Sequence, residues 1–309
     1  MGLRVVFFGT PDAAVPTLRH LLTSDHATEA VVTAPDRPRG RGLEVQPPPV
    51  KQAAEAAGLP VYQPLTLRGG DVQAALAALG AEVFVVCAYG LILPQAVLDL
   101  PRFGAVNVHF SLLPAYRGAA PVARSILDGR AETGVSIMQM EAGLDNGPVL
   151  EQVAEPILPD DDTETLERRL AEIGGRLLVR VLDCVEAGDI RPHFQDDAAS
   201  SYAAKVTPAD ARIDWSQDAV RIARAVRAFR PRPGVWTMLG GRRLKVWRAW
   251  PVEAAAAGAP GTVSAGPGGE MVVTAGSGSL VLGEVQPEGG RRMAGADLLR
   301  GLRSDVALE

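Results

Sequence analysis

From Leu3 onward the chain alternates short unbroken apolar runs with stretches whose apolar residues recur every three or four positions. The runs Leu3–Phe8, Ala30–Ala34, Glu82–Ala88, Gly104–Phe110 and Val135–Met140 are rich in Val, Ile and Phe and poor in charge. Between them, Val50–Gly58, Val72–Gly80, Pro94–Leu100 and Pro121–Gly129 carry helical spacing, and another helix is expected to open at Pro11 and Asp12. Strands that stay apolar on both faces and are separated by helices imply a parallel sheet covered on both sides. The first half is therefore read as a Rossmann-like α/β domain with a mostly parallel sheet.

The pattern changes after Thr163. Leu166, Leu170, Ile173, Leu177, Val181 and Val185 fall at three and four residue intervals, which predicts one long helix capped by Asp162 or Thr163 and stopped at Gly188. Arg212–Phe229 reads as an Arg-rich helix, Val235–Trp247 as a hairpin over Gly240 and Gly241, and Glu270–Val285 as a second hairpin, with Val252–Gly261 a loop between them. Short strands joined by glycine turns point to a small OB-like β-barrel, with Trp236, Trp247 and Trp250 in its core. The organisation implied is a first domain over 1–190, a linker over 191–206 and a β-barrel domain over 207–309.

Composition narrows the class. A chain of 309 residues suits two domains, and 47% hydrophobic with 22% charged residues is ordinary for a folded globular protein. No run reaches the roughly 18 uncharged apolar residues of a membrane span. A strand-like run at Leu3 leaves no room for a targeting peptide, so a cytoplasmic location without a membrane partner is expected. Cys87 and Cys184 lie in core-like patterns without metal-type spacing and are assigned no chemistry. The net charge of −5 hides an asymmetry: residues 1–206 hold 17 Lys and Arg against 26 Asp and Glu, whereas 207–309 hold 14 against 10. A basic tail on an acidic body favours a polyanionic partner.

The candidate chemistry lies at the end of one run. In a strand, residues two apart share a face, so Asn107 and His109 are aimed together while Val108 and Phe110 turn away. Ligands of open α/β sheets bind beyond the carboxyl ends of strands, where this pair lies and where Asp145, in the loop after Val135–Met140, is expected as well. An amide and an imidazole can hold an oxyanion and a carboxylate can hold the imidazole, which fits direct acyl transfer to a substrate that brings its own nucleophile. Spacing alone leaves a second reading open. His109 can be a structural hydrogen-bonder, and Asp145 between Gly143 and Gly147 can be an ordinary turn acid. The stretch Phe7–Asp12 holds one glycine and no dinucleotide fingerprint.

The segments NVHFSLLPAYRGAAP (Asn107–Pro121) and MEAGLDNGP (Met140–Pro148) strongly resemble the folate-dependent formyltransferases, whose shared Asn, His and Asp match Asn107, His109 and Asp145. The segments FFGTPD, PDRPRGRG, PVYQP, VVCAYGLILP, ETGVSIMQM, ARIDW and RAFRPRPG resemble, in order and spacing, the branch of that family acting on methionyl initiator tRNA, weakest after about Val252. The resemblance implies transfer of the formyl group of 10-formyltetrahydrofolate to the α-amino group of methionine on initiator tRNA, without a metal. Asn107 and His109 would hold the oxyanion and Asp145 would orient His109. The folate would lie against Ala88, Tyr89, Gly90, Leu91, Ile92 and Leu93, with Ser111, Leu112, Leu113 and Pro114, and with Glu141, Gly143 and Leu144 of the second loop. A branch of the family acting on amino sugar nucleotides or other small amines shares the trio and is the alternative; the basic tail argues against it.

The basic residues then acquire a use. Arg221, Arg224 and Arg227 recur every three residues on the expected helix, and Arg242, Arg243 and Lys245 lie on the hairpin; with Arg37, Arg41 and Lys205 they form the expected track for tRNA phosphates. An Arg-rich helix can equally be a solvated face. Two departures stand out from the family pattern. Leu43 and Glu44 follow the RPRGRG stretch where relatives often carry lysine, and Phe110 stands where relatives carry a smaller residue, which implies a repacked core behind an intact site. A monomer with no DNA partner is expected.

Overall fold

A computed structural model describes residues 2–39, 44–253, 258–302 and 307–309. Two compact units interleave along the chain. The first comprises Met1–Gly118, Glu132–Pro156 and Glu167–Ala203, and the second Ala119–Ala131, Ile157–Leu166 and Ala204–Glu309.

The first unit is built on a seven-stranded sheet. Its strands are β1 (Arg4–Gly9), β2 (Ala27–Val32), β5 (Val61–Tyr62), β6 (Val83–Cys87), β7 (Ala105–His109), β9 (Glu132–Gln139) and β10 (Val149–Pro156), in the order β10-β9-β7-β6-β1-β2-β5. Pairing is parallel from β5 through β7 and antiparallel where β9 joins β7 and β10 joins β9. The helices α1 (Val15–Leu22), α2 (Pro49–Ala56), α3 (Gly70–Ala78) and α4 (Gln95–Leu98) connect the parallel strands, as expected for strands buried on both faces. Val5, Val6, Phe7, Phe8, Val83, Val85 and Cys87 are wholly buried. Two short pairs complete this unit: β3 (Arg37–Arg39) with β4 (Glu44–Gln46), and β8 (Arg117–Gly118) with β11 (Tyr202–Ala203).

The long helix α6 spans Thr163–Ala187. Asp162 caps it by accepting the Thr165 N–H at 2.8 Å, and Gly188 ends it in the left-handed region at φ 72°.

In the second unit, α5 (Pro121–Leu127) packs on α7 (Ala219–Ala228). Residues 119–131 therefore belong with this unit, although they precede β9 in the chain. The Arg-rich helix is shorter than expected: Asp218 caps α7 through the Val220 N–H at 2.8 Å, and Ile213 and Trp215 ahead of it are buried in irregular chain. The strands β12 (Val235–Leu239), β13 (Arg242–Val252), β14 (Val263–Ala265), β15 (Met271–Thr274), β16 (Ser279–Pro287) and β17 (Met293–Ala294) form an antiparallel sheet in the order β12-β13-β16-β15-β14, with β17 on β16 and α8 (Gly295–Arg300) following. Gly240 and Gly241, both at positive φ, make the β12–β13 turn. Ala307 and Leu308 bridge Thr262 and Leu239, joining the two ends of the curled sheet.

The tryptophans correct an expectation. A bulge between Val246 and Arg248 turns both Val246 and Trp247 inward, but Trp236 is only half-buried and Trp250 is 44% exposed. The buried tryptophans of this unit are Trp215 and Trp247.

Candidate active site

Alternation along β7 directs Asn107 and His109 to one side. Val108 and Phe110 turn to the other, where α6 presses so closely that a Cβ on Gly174 would meet Val108 Cγ1 at 2.8 Å and Phe110 Cε1 at 3.6 Å. The large residue at 110 thus fills space under α6, away from the polar pair.

Asp145 arrives by an unexpected route. Because β9 runs antiparallel to β7, its end at Gln139 lies opposite Val106, and His109 faces Ser136. The acid is therefore not at the carboxyl end of a strand parallel to β7. The loop 140–148 instead folds back along the strand, and Asp145 adopts a left-handed φ of 47° at its turn. An Asp tolerates this conformation better than most side chains, yet it is uncommon outside glycine. Asp145 Oδ1 accepts from Asn107 Nδ2 at 3.4 Å, and Oδ2 lies 3.8 Å from His109 Nδ1. Oδ2 also accepts the Gly118 N–H at 2.8 Å. A plain turn acid would bond within its own turn; this one reaches across to β7 and β8.

His109 is buried, and its Nε2 lies 2.9 Å from the Tyr116 carbonyl. A carbonyl only accepts, so Nε2 carries a hydrogen and Nδ1, facing Asp145, is the ring atom open to proton exchange. Tyr116, at φ 61°, and the following Arg117 and Gly118 form a template that orients both groups: the carbonyl of 116 fixes the imidazole and the N–H of 118 fixes the carboxylate. Ser201 backs this template, its hydroxyl accepting from Tyr116 N and its carbonyl from Arg117 N.

A further strap closes around the loop. Gln195 Nε2 donates to the carbonyls of Asp145 at 2.9 Å and Gly147 at 2.7 Å, while its Oε1 accepts from Arg117 Nε at 3.0 Å. Arg117 also pairs with Asp197 at 2.8 Å. Of residues 191–206, read from sequence as linker, 191–203 fall in the first unit and 204–206 in the second. Two of these four contacts use backbone carbonyls, which residue types do not reveal.

Two candidate nucleophiles nearby are engaged or inert. The Ser111 hydroxyl is wholly buried and donates to the Ala115 carbonyl at 2.6 Å. Burial pushes the Cys87 thiol up to about 12, with Thr17 Oγ1 3.7 Å away.

The residues expected to hold folate divide into three groups. Ala88 and Gly90, at φ 48° and 91°, put a tight turn after β6 that leaves Leu91 and Ile92 exposed, Ile92 by 79%. Glu141, Gly143 and Leu144 are exposed in the second loop, and Met140 at its root packs on the cluster containing Tyr89 and Leu93. These two loops offer apolar side chains and open backbone, which suits a flat aromatic ligand with polar edges. Tyr89 and Leu93 are instead core residues: the Tyr89 ring meets Phe8 edge-on at 5.4 Å, and burial raises its hydroxyl to about 12. The SLLP segment is divided between packing and a cavity. Besides the engaged Ser111, Leu112 covers Gly134, and Leu113 and Pro114 line a separate cavity of about 320 Å³ with Gln152, Phe194 and Gln195. The chain turns away from β7 here because the Gln152 amide and the Ser136 hydroxyl bind the backbone of 113. Among the described residues no group of three or more His, Cys, Asp or Glu side chains could hold a metal ion, and no helix is long and apolar enough to cross a membrane.

The basic track is rearranged too. Arg41 lies outside the described residues; Arg37 and Lys205 are exposed. On α7 only Arg221 faces solvent freely, bonding to Gln217 at 3.0 Å. Arg224 packs over Gly129, and Arg227 donates to the Asp161 carbonyl at 3.0 Å, its pKa lowered by burial and by Arg224. Three-residue spacing put them on one face, but α5 and the segment before α6 occupy that face. Arg242, Arg243 and Lys245 are exposed on β13. Arg243 stacks on Trp236 at 4.4 Å with Arg212 at 5.7 Å, and Arg292 stacks on Trp247 at 3.5 Å with Lys245 Nζ at 5.6 Å.

Comparison with known proteins gives the family. Residues 3–182 match the formyl transferase family model and 205–303 its C-terminal domain, and the chain belongs to the formyl transferase family. Within that family it is 49% identical to methionyl-tRNA formyltransferase of Thiobacillus denitrificans over 97% of this chain and 96% of that one. It is 46% identical to methionyl-tRNA formyltransferase of Dechloromonas aromatica, over 98% and 99%. Among solved structures, the N-formyltransferase of Helicobacter canadensis in complex with folinic acid and dTDP-3-aminofucose aligns over 91% of this chain and 99% of its own, with a TM-score of 0.65 and 16% identity. That likeness is one of fold.

Proposed function

We propose that this chain transfers the formyl group of 10-formyltetrahydrofolate to the α-amino group of methionine on initiator tRNA, and that Asn107, His109 and Asp145 carry the reaction. The observation that carries the site assignment is the meeting of the Asn107 amide, the His109 Nδ1 and the Asp145 carboxylate at 3.4 and 3.8 Å, beside a serine already engaged. The substrate class rests on similarity over nearly the whole chain to methionyl-tRNA formyltransferases.

The methionyl amine attacks the formyl carbon, and the carbonyl pair moves onto oxygen. Asn107 Nδ2 and a protonated His109 Nδ1 donate to that oxygen, and Asp145 balances the imidazolium. When the intermediate collapses, the bond from carbon to N10 of the folate breaks. One proton leaves the attacking nitrogen and one reaches N10; Asp145 and His109 Nδ1 are the groups placed to carry them. Ala88, Gly90, Leu91, Ile92, Glu141, Gly143 and Leu144 receive the folate. Arg242, Arg243 and Lys245, with Arg37 and Lys205, contact tRNA phosphates, so binding weakens with salt.

The test supplies labelled 10-formyltetrahydrofolate with methionyl initiator tRNA or with a nucleotide-linked amino sugar. Label on the methionine supports the reading. Turnover of the amino sugar alone rejects it.

A further inference from the structure

We infer that Gln195 is a positioning residue that sets Asp145 in its reactive place. This rests on the reading of Asp145 above, but nothing in the sequence singled Gln195 out. Three observations carry it. One side-chain amide spans two carbonyls of the same loop, those of Asp145 and Gly147, at 2.9 and 2.7 Å. Its oxygen is held by Arg117 Nε at 3.0 Å, so the amide cannot flip without facing two carbonyls with its own oxygen and turning its N–H groups to a guanidinium. Arg117 is anchored by Asp197 and sits one residue before Gly118, the donor to Asp145 Oδ2.

Asp145 is therefore gripped at both ends, its carboxylate by the Gly118 N–H and its backbone by Gln195. The grip matters because residue 145 is at φ 47°. A non-glycine residue in that region is strained and persists where its surroundings over-determine it. The two hydrogen bonds from Gln195 to the carbonyls of 145 and 147 help to hold it there. Gln195 lies on the strap 191–203, whose His193 also bridges Val149, the residue that follows the loop. The strap thus fixes the returning limb of the Asp145 loop while β7 fixes Asn107 and His109, and the distance between carboxylate and imidazole depends on both.

The test uses Gln195→Ala and Gln195→Glu in the full-length protein. Glu keeps the size and the Arg117 partner but cannot donate to the two carbonyls, so it carries the test if the alanine variant does not fold. A misplacement of about 1 Å costs on the order of 100-fold in rate, so kcat should fall about 10- to 100-fold while KM for methionyl-tRNA changes less than about threefold. In an Asp145→Ala background the same change should lower kcat by less than about twofold, because a residue acting through Asp145 has nothing left to position. A full effect of Gln195 in that background, or no effect in the wild-type one, overturns the inference. A second readout needs no substrate: the ¹⁵N resonance of His109 Nδ1 should move in Gln195→Glu in the direction it moves in Asp145→Asn. An unmoved resonance overturns the inference even if the wild-type protein proves inactive on methionyl-tRNA, which would sink the proposed function separately.

Discussion

Replacing Asp145 with Asn isolates the charge of the trio. The Asn oxygen can keep the Gly118 N–H, but its NH₂ then meets the NH₂ of Asn107, and the imidazole loses its anionic neighbour. At the observed 3.8 Å between Oδ2 and Nδ1, an effective dielectric of about 20 gives an attraction of about 4 kcal/mol between carboxylate and imidazolium. If the imidazolium forms only as the oxyanion develops, all of this acts on the barrier and the ceiling is about three powers of ten in rate. Rearranged solvent and the retained amide reduce it, so kcat should fall about 100- to 1,000-fold, comparable with loss of one oxyanion donor. The assay is single-turnover formylation with enzyme in excess, paired with a titration of tetrahydrofolate to show that binding persists. A kcat within about tenfold of wild type, with binding intact, would refute the assignment.

Three further outcomes follow from the same geometry. Changing Arg242, Arg243 and Lys245 together to Ala should weaken tRNA binding and flatten its dependence on salt by about one phosphate contact per effective charge, whereas Arg227→Ala should lower stability by about 1–3 kcal/mol through loss of its bond to the Asp161 carbonyl and leave the salt slope unchanged. Asp210 is held below its ordinary 3.8 by the Thr207 hydroxyl and N–H and then by Arg124; a depressed carboxyl adds stability that is complete above the unfolded value and lost as pH falls through the folded one. Urea midpoints of wild type and Asp210→Asn should therefore differ at neutral pH and converge as pH falls through the lowered value of Asp210; a gap unchanged by acid contradicts this. Cys87, its thiol pushed up to about 12 by burial, should resist alkylation at neutral pH until urea unfolds the first unit, as mass spectrometry of the native protein would show; rapid native labelling would contradict its burial.

Much of the fold was legible because burial on both faces writes itself as unbroken apolar runs, and β1, β6 and β7 follow those runs closely. The direction of β9 was not, since Val135–Met140 reads identically in a parallel or antiparallel pairing; that single reversal changed how Asp145 reaches its partners. Asn107 and His109 were accessible through the two-residue alternation of a strand. Tyr116, Gly118 and Gln195 were not, because they act through a carbonyl, an amide and a strap that looked like linker. The arginines of α7 misled for a related reason: their spacing defines a face, but what packs on that face comes from residues some 60 to 100 positions earlier in the chain.

The most direct measurement is a structure of the protein with a non-reactive formyl folate bound. The formyl oxygen should lie about 2.6–3.2 Å from Asn107 Nδ2 and His109 Nδ1, with the ring system between Ala88–Ile92 and Glu141–Leu144. A folate seated instead in the cavity beside Phe194, with its formyl group out of reach of both side chains, would contradict the account.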